Sequence, residues 1–250
     1  MKFMIYTLTI GSVILISIVS LIGILFISLD RNKMQKILHF LVSFAVGGLF
    51  GDAFIHLLPE SFEKLGSNLF TSLSIVLGIL IFFILEKFIR WRHCHITSSD
   101  EHLHAEVTLN IIGDGVHNLI DGILVGASYL TSIPIGITTT FAVILHEIPQ
   151  EIGDFGVLVN GGFSVRKALV FNLLSAVTSI LGAIISLVIG PQIQGYSLFM
   201  LPVTAGGFIY IAGSDLIPEL QHDVNLSTSF SQLIFIILGI VVMSLLVLIE

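Results

Sequence analysis

The sequence predicts an all-α membrane protein of eight transmembrane helices in a 3+2+3 arrangement, with helices 1–3 and 6–8 as inverted repeats. Three observations carry that prediction. Hydrophobic residues make up 55% of the 250 residues and charged residues only 11%, against about 25% charged in a soluble domain. With a mean hydropathy of +1.04, too little polar surface is left to face water on every side, so the solvent around most of the chain is lipid. Eight apolar runs each have the roughly 20 residues that a helix needs to cross the hydrocarbon core. The second and seventh runs also end alike, in Leu57-Leu58-Pro59-Glu60 and Leu216-Ile217-Pro218-Glu219.

The runs cover about 4–29, 37–59, 68–90, 107–130, 134–160, 168–190, 197–219 and 231–249. In lipid every backbone polar group is satisfied within its own segment, and the runs do not alternate as barrel strands would, so each is read as a helix. The first is too long for a signal-peptide core and has no clear small-residue cleavage site, so it counts as a span. Basic residues orient the set. Arg31, Lys33 and Lys36 follow span one, Lys87, Arg90 and Arg92 close span three, and Arg166 and Lys167 separate spans five and six; only Lys2 and Lys64 fall on the other side. Positive residues stay cytosolic, so both termini are expected outside the cytosol, in a multi-pass protein of the cell membrane. Gly51-Asp52 precedes the end of span two and Gly213-Ser214-Asp215 that of span seven. With three spans per repeat and two between, such repeats have inverted topology, an arrangement that places a substrate site near the midplane. Residues 1–250 form one transmembrane domain, with 93–106 as a cytosolic His-rich loop within it. A net charge of −7 argues against nucleic acid, which needs basic clusters. The single cysteine, Cys94, excludes a disulfide within one chain.

Ionisable residues inside a span are expensive and default to function. Span four carries Asn110, Asp114, His117, Asn118 and Asp121, mostly on one helical stripe; span five carries His146, Glu147, Gln150, Glu151 and Asp154. The cores match: His117-Asn118-Leu119-Ile120-Asp121 and His146-Glu147-Ile148-Pro149-Gln150 each offer an imidazole, an oxygen donor beside it, and another one turn on. Two imidazoles with several oxygens suit zinc or neighbours such as iron, manganese or cadmium, whereas calcium or magnesium calls for oxygen alone. The carboxylates offset the charge of a 2+ ion in low dielectric. Pro149 frees the Leu145 carbonyl and is expected to kink the helix. Gly122, Gly153 and Gly156 are expected to let neighbouring helices approach. Asn172 on span six is a candidate for the same centre. Asp52 and His56 on span two, and Asp215 on span seven, are candidates for an entrance or exit. His93, His95, His102 and His104, with Cys94, make the cytosolic loop a candidate receiver of departing ions. Imidazoles must be neutral to bind metal, so uptake is expected to fall in acid.

At these residues the chain resembles the ZIP (Zrt/Irt-like) family of divalent metal transporters. The resemblance rests on His117-Asn118-Leu119-Ile120-Asp121-Gly122, on His146 through Phe155, and on Gly51 through Glu60, and it covers all eight spans. It implies a primary site of His117, Asp121, His146 and Gln150. It also implies a second metal at Asn118, Glu147 and Asn172, with Asp121 and Gln150 as bridges. The metal is substrate, moved toward the cytosol by a homodimer through an elevator-like motion of one helix bundle. Many relatives have His where this chain has Gln150, which leaves binuclear occupancy and metal preference open. The rival reading is an intramembrane zinc-dependent hydrolase using His146 and Glu147, since His146–Gln150 falls one residue short of His-Glu-x-x-His. A non-transporting metal sensor is a third.

Overall fold

All regular structure among the described residues is helical, and the helices break where the sequence gives them reason to. The computed structural model describes the backbone of residues 2–23, 31–91, 99–221 and 225–249, and the side chains of these except 31–36, 88–91, 99–106 and 249. Helix α1 (Lys2–Val19) runs into a 3₁₀ turn, Ser20–Ile22. Helix α2 (Arg31–Gly51) passes through a π turn, Asp52–Leu57, into α3 (Leu58–Leu65). Pro59 sits in the first turn of α3, directly after the π turn, and Gly66 ends the helix at φ 80°. Helix α4 (Leu69–Trp91) is capped by Asn68, whose Oδ1 accepts from Thr71 N at 3.1 Å.

Helix α5 (Ser99–Thr131) and helix α6 (Ile133–Asn160) meet at Ser132, which caps α6 by accepting from Ile135 N at 3.3 Å. Helix α5 starts at Ser99, so the second half of the expected 93–106 loop has helical backbone; no Gly or Pro interrupts it. Helix α6 continues through Pro149. The sixth run is two helices, α7 (Val165–Ala176) and α8 (Thr178–Ile189). Helix α9 (Tyr196–Tyr210) leads through a second π turn, Ile211–Leu216, into α10 (Ile217–Leu220). Helix α11 (Leu226–Leu246) is capped by Asn225.

Six of these segments are long and apolar enough to cross a membrane: Lys2–Ile22, Ile37–Leu65, Leu69–Lys87, Val165–Gln192, Tyr196–Leu220 and Leu226–Leu246. Helices α5 and α6, of 33 and 28 residues, have the length, but their polar stripes keep them out of that apolar class. Leu73, Leu77, Leu80 and Ile84 on α4, and Phe230, Leu233, Ile237 and Leu245 on α11, are exposed. Apolar side chains facing outward in rows are what a lipid-facing surface requires.

Helices do not associate in lipid by the hydrophobic effect, so they need close backbone approach. Three pairs achieve it with reciprocal glycines. A Cβ on Gly122 would strike the Ser179 carbonyl, and one on Gly182 the Leu119 carbonyl, so α5 and α8 touch backbone to backbone. Gly78 and Gly206 do the same for α4 and α9, and Gly47 and Gly239 for α2 and α11. The expectation for Gly122 therefore holds. Gly153 and Gly156 are different: a Cβ on either meets nothing within 4 Å, because Gly153 borders a cavity rather than a helix and Gly156 has open space.

Candidate metal centre

Helices α5 and α6 face each other so that His117 and Asp121, one turn apart, meet His146 and Glu147. One ligand atom from each lies within 4.8 Å of the others. His146 Nε2 is 3.1 Å from Asp121 Oδ2 and 3.4 Å from His117 Nε2. His117 Nε2 is 3.6 Å from Asp121 Oδ2 and 3.8 Å from Glu147 Oε1, which is 3.9 Å from His146 Nε2. Tetrahedral ligands about 2.1 Å from a zinc ion stand about 3.4 Å apart, so small adjustments of these side chains suffice to enclose one.

The protonation pattern is set by a second contact. His146 Nδ1 lies 3.1 Å from the Ala142 carbonyl, four residues back. A carbonyl only accepts, so Nδ1 carries the proton and Nε2 turns its lone pair to the centre, the usual orientation device for a metal-binding imidazole. Phe82 meets the His117 ring edge-on at 5.8 Å, and Phe208 meets His146 at 6.0 Å. Asp121, His146 and Glu147 are buried, while His117 keeps 17% of its side-chain exposure. Asp121 Oδ1 and Glu147 Oε1 are buried with no hydrogen-bond partner. Two carboxylates beside two imidazole nitrogens, with the carboxylate oxygens Asp121 Oδ1 and Glu147 Oε1 left without a hydrogen-bond partner, make a site for a cation.

The other sequence-predicted residues divide. Asn118 gives its amide to Asp114, at 2.8 Å to Oδ1, and leaves its own Oδ1 buried without a partner. Gln150 lines a cavity of about 260 Å³ with Glu86, Asp114, His117, Asp154 and Asp215. Glu151 is buried one position on from Gln150 and Asn172 reaches its backbone carbonyl at 3.1 Å. Asp154 accepts from Asn110 at 2.6 Å, an interhelical bond. Asp52 and His56 are buried in the first π turn, with His56 Nε2 2.9 Å from the Met243 carbonyl on α11. Asp215 and Glu219 are exposed and line a cavity of about 160 Å³ that reaches His146. His93 and His95, with Cys94, lie outside the described residues; His102 and His104 lie on α5, with side chains outside them. Sequence reading passed over Glu86, which accepts from Tyr210 at 2.6 Å; it was the one acid in span three, hidden among the bases used for orientation. Phe82 and Phe208 gave no signal in a chain with 19 phenylalanines.

The sequence model of the ZIP zinc transporter family matches residues 4–108 and 93–247. The chain belongs to the ZIP family. Among curated relatives it is similar to the zinc transporter zipt-7.1 of Caenorhabditis briggsae, at 30% identity over 91% of this chain and 75% of that protein. It is similar to the zinc transporter ZIP13 of Pongo abelii at 36% identity, over 81% of this chain and 65% of that protein. With the zinc transporter ZIP10 of Homo sapiens it shares 38% identity over 53% of this chain and 17% of that protein. It therefore spans less than two thirds of the length of the last two. ZIP family members are transporters and not enzymes, so membership removes the hydrolase reading of His146 and Glu147. With six apolar helices it also makes the chain a multi-pass membrane protein.

Proposed function

We propose that this chain carries zinc, or a similar divalent transition metal such as iron, manganese or cadmium, across its membrane toward the cytosol through the quartet on α5 and α6. The observation that carries the reading is the convergence of His117, Asp121, His146 and Glu147, with His146 Nε2 turned inward. The imidazoles favour a borderline metal over a hard one, and the two carboxylates offset its charge. Asn118, Gln150, Glu151 and Asn172 belong to the wider site. The relatives' names support zinc as cargo.

We read α5 and α6 as spans four and five of an eight-span 3+2+3 chain. The two π turns support the inverted repeat: they stand in the same register ahead of Pro59 and Pro218, and Gly47 and Gly206 stand in the same register ahead of them. The cavities support that direction: they run from the quartet past Asp114, Asp154, Asp215 and Glu219, toward the side that the basic residues mark as cytosolic. On the same charge rule we read both termini as outside the cytosol, Asp52 and His56 as on the entry side, and His93, His95, His102 and His104 as on the exit side. The homodimer and the cell membrane are carried over as expectations of the resemblance and the charge pattern.

Uptake into proteoliposomes of the purified protein tests the proposal. Wild type is expected to accumulate zinc, and His117→Ala with His146→Ala to reduce uptake to that of empty vesicles. Wild-type protein that binds zinc yet gives no flux sinks it.

A further inference from the structure

The two imidazoles of the quartet are gripped by aromatic rings that supply no ligand. Phe82 on α4 stands at 79° to His117, with ring centres 5.8 Å apart. His117 meets His146 at 75° and 5.6 Å, and His146 meets Phe208 on α9 at 63° and 6.0 Å. These are the angles and separations of edge-to-face pairs. Four rings from four helices therefore form one row, in the order α4, α5, α6, α9. The two ends of the row are joined to each other. Gly207, next to Phe208 in sequence, lies under Phe82, and a Cβ there would strike the Phe82 ring. Farther along the same seam Phe83 meets Tyr210 at 78° and 6.3 Å, and Tyr210 donates to Glu86 at 2.6 Å. The seam between α4 and α9 thus holds the two phenylalanines at a fixed spacing. Both rings are buried, so neither is lipid-facing surface.

The imidazoles need such a hold. His146 has one hydrogen bond at Nδ1 to orient it. Among the described residues no hydrogen bond reaches His117 Nδ1, so packing alone sets the plane of that ring. A ligand ring that is free to turn gives up part of its binding energy to ordering, and one locked by its neighbours does not. We infer that Phe82 and Phe208 are positioning residues for the cargo site: their contacts fix the planes of His117 and His146 so that both present Nε2 to the ion. The inference rests on reading the quartet as the cargo site, and it adds two residues that touch no metal. It also makes α4 and α9, which carry no member of the quartet, part of what sets zinc affinity.

Purified protein in detergent, loaded with Co²⁺ in place of zinc, tests this. The visible absorption of cobalt reports the geometry of its ligand shell, and competition against cobalt gives zinc affinity. Phe82→Leu and Phe208→Leu keep apolar bulk and remove the ring. Each is expected to weaken zinc about 2–12-fold, the span of one edge-to-face pair, and to change the cobalt spectrum. Gly207→Ala is expected to do the same by displacing Phe82, and to add nothing to Phe82→Leu in the double variant. A lower thermal midpoint with zinc affinity and cobalt spectrum unmoved overturns the inference, because the rings are then packing and no more. A full additional loss in the double variant also overturns it. Where a leucine variant fails to fold, Gly207→Ala, which leaves both rings present, carries the test. A cobalt spectrum that survives His117→Ala with His146→Ala overturns the cargo reading instead.

Discussion

The Ala142 carbonyl holds His146 at Nδ1, which leaves Nε2 facing Asp121 Oδ2 at 3.1 Å with no proton between them. Gln150 borders both cavities, beside His117 in one and His146 in the other. If its amide oxygen ligates the cargo, Gln150→His replaces a weak ligand by an imidazole, and zinc binding followed by calorimetry tightens; equal affinity in the two proteins would show that position 150 is no ligand. The quartet was legible in the sequence because imidazole and carboxylate at helical spacing inside an apolar run have few other uses. The fates of Asn118 and Asn172 were not legible, because an amide presents either its donor or its acceptor, and only the neighbours decide which. The same holds for the Phe82 and Phe208 rings against the two histidines: a phenylalanine in a membrane span reads as lipid-facing until its neighbour is known.

At the scale of the element, six spans followed from apolar length, but the breaks in the helices did not. The split at Val177 has no proline or glycine to announce it, and its loose carbonyl at Ala176 accepts from Ser17 and Ser179 hydroxyls at 3.0 and 2.7 Å. The glycines were legible as a class and not individually, since contact depends on which helix lies opposite. Gly122→Val is expected to cost about 1–3 kcal/mol by forcing α5 off α8, seen as a lower thermal midpoint in detergent. Gly153→Ala has room for its methyl and removes a flexible residue from a helix, so a gain of about 0.5–1 kcal/mol is expected. Equal losses at the two positions would contradict the packing described.

For the whole molecule, composition alone gave the membrane and the helical class, while the partition of helices depended on contacts that no single run encodes. The backbone-to-backbone pairs are α2 with α11, α4 with α9, and α5 with α8; α1 and α6 add to the last pair. Under the proposed topology the first two pairs are each other's counterparts in the inverted repeat. Accessibility checks the orientation. With Cys94 replaced by serine, Asp215→Cys is expected to react with a membrane-impermeant maleimide from the cytosolic side only. His56→Cys, buried against α11, is expected to label at least tenfold more slowly from either side, by about 1.4 kcal/mol of protection for each factor of ten. Fast labelling of His56→Cys from the cytosolic side would reverse the proposed orientation.

Each π turn holds one residue more than the α-helical path around it needs, and that has a consequence for sequence change. Deleting any one residue of Asp52–Leu57 would let the segment close as plain α-helix. The Pro59–Leu65 tip would then keep its facing, with Ser61 still in its buried place. A deletion in the α-helical part, ahead of the turn, would instead swing the tip by about 100° about its axis. The same holds at Ile211–Leu216 for Glu219. A single-codon deletion within either turn is therefore expected to act as a shortening without a rotation.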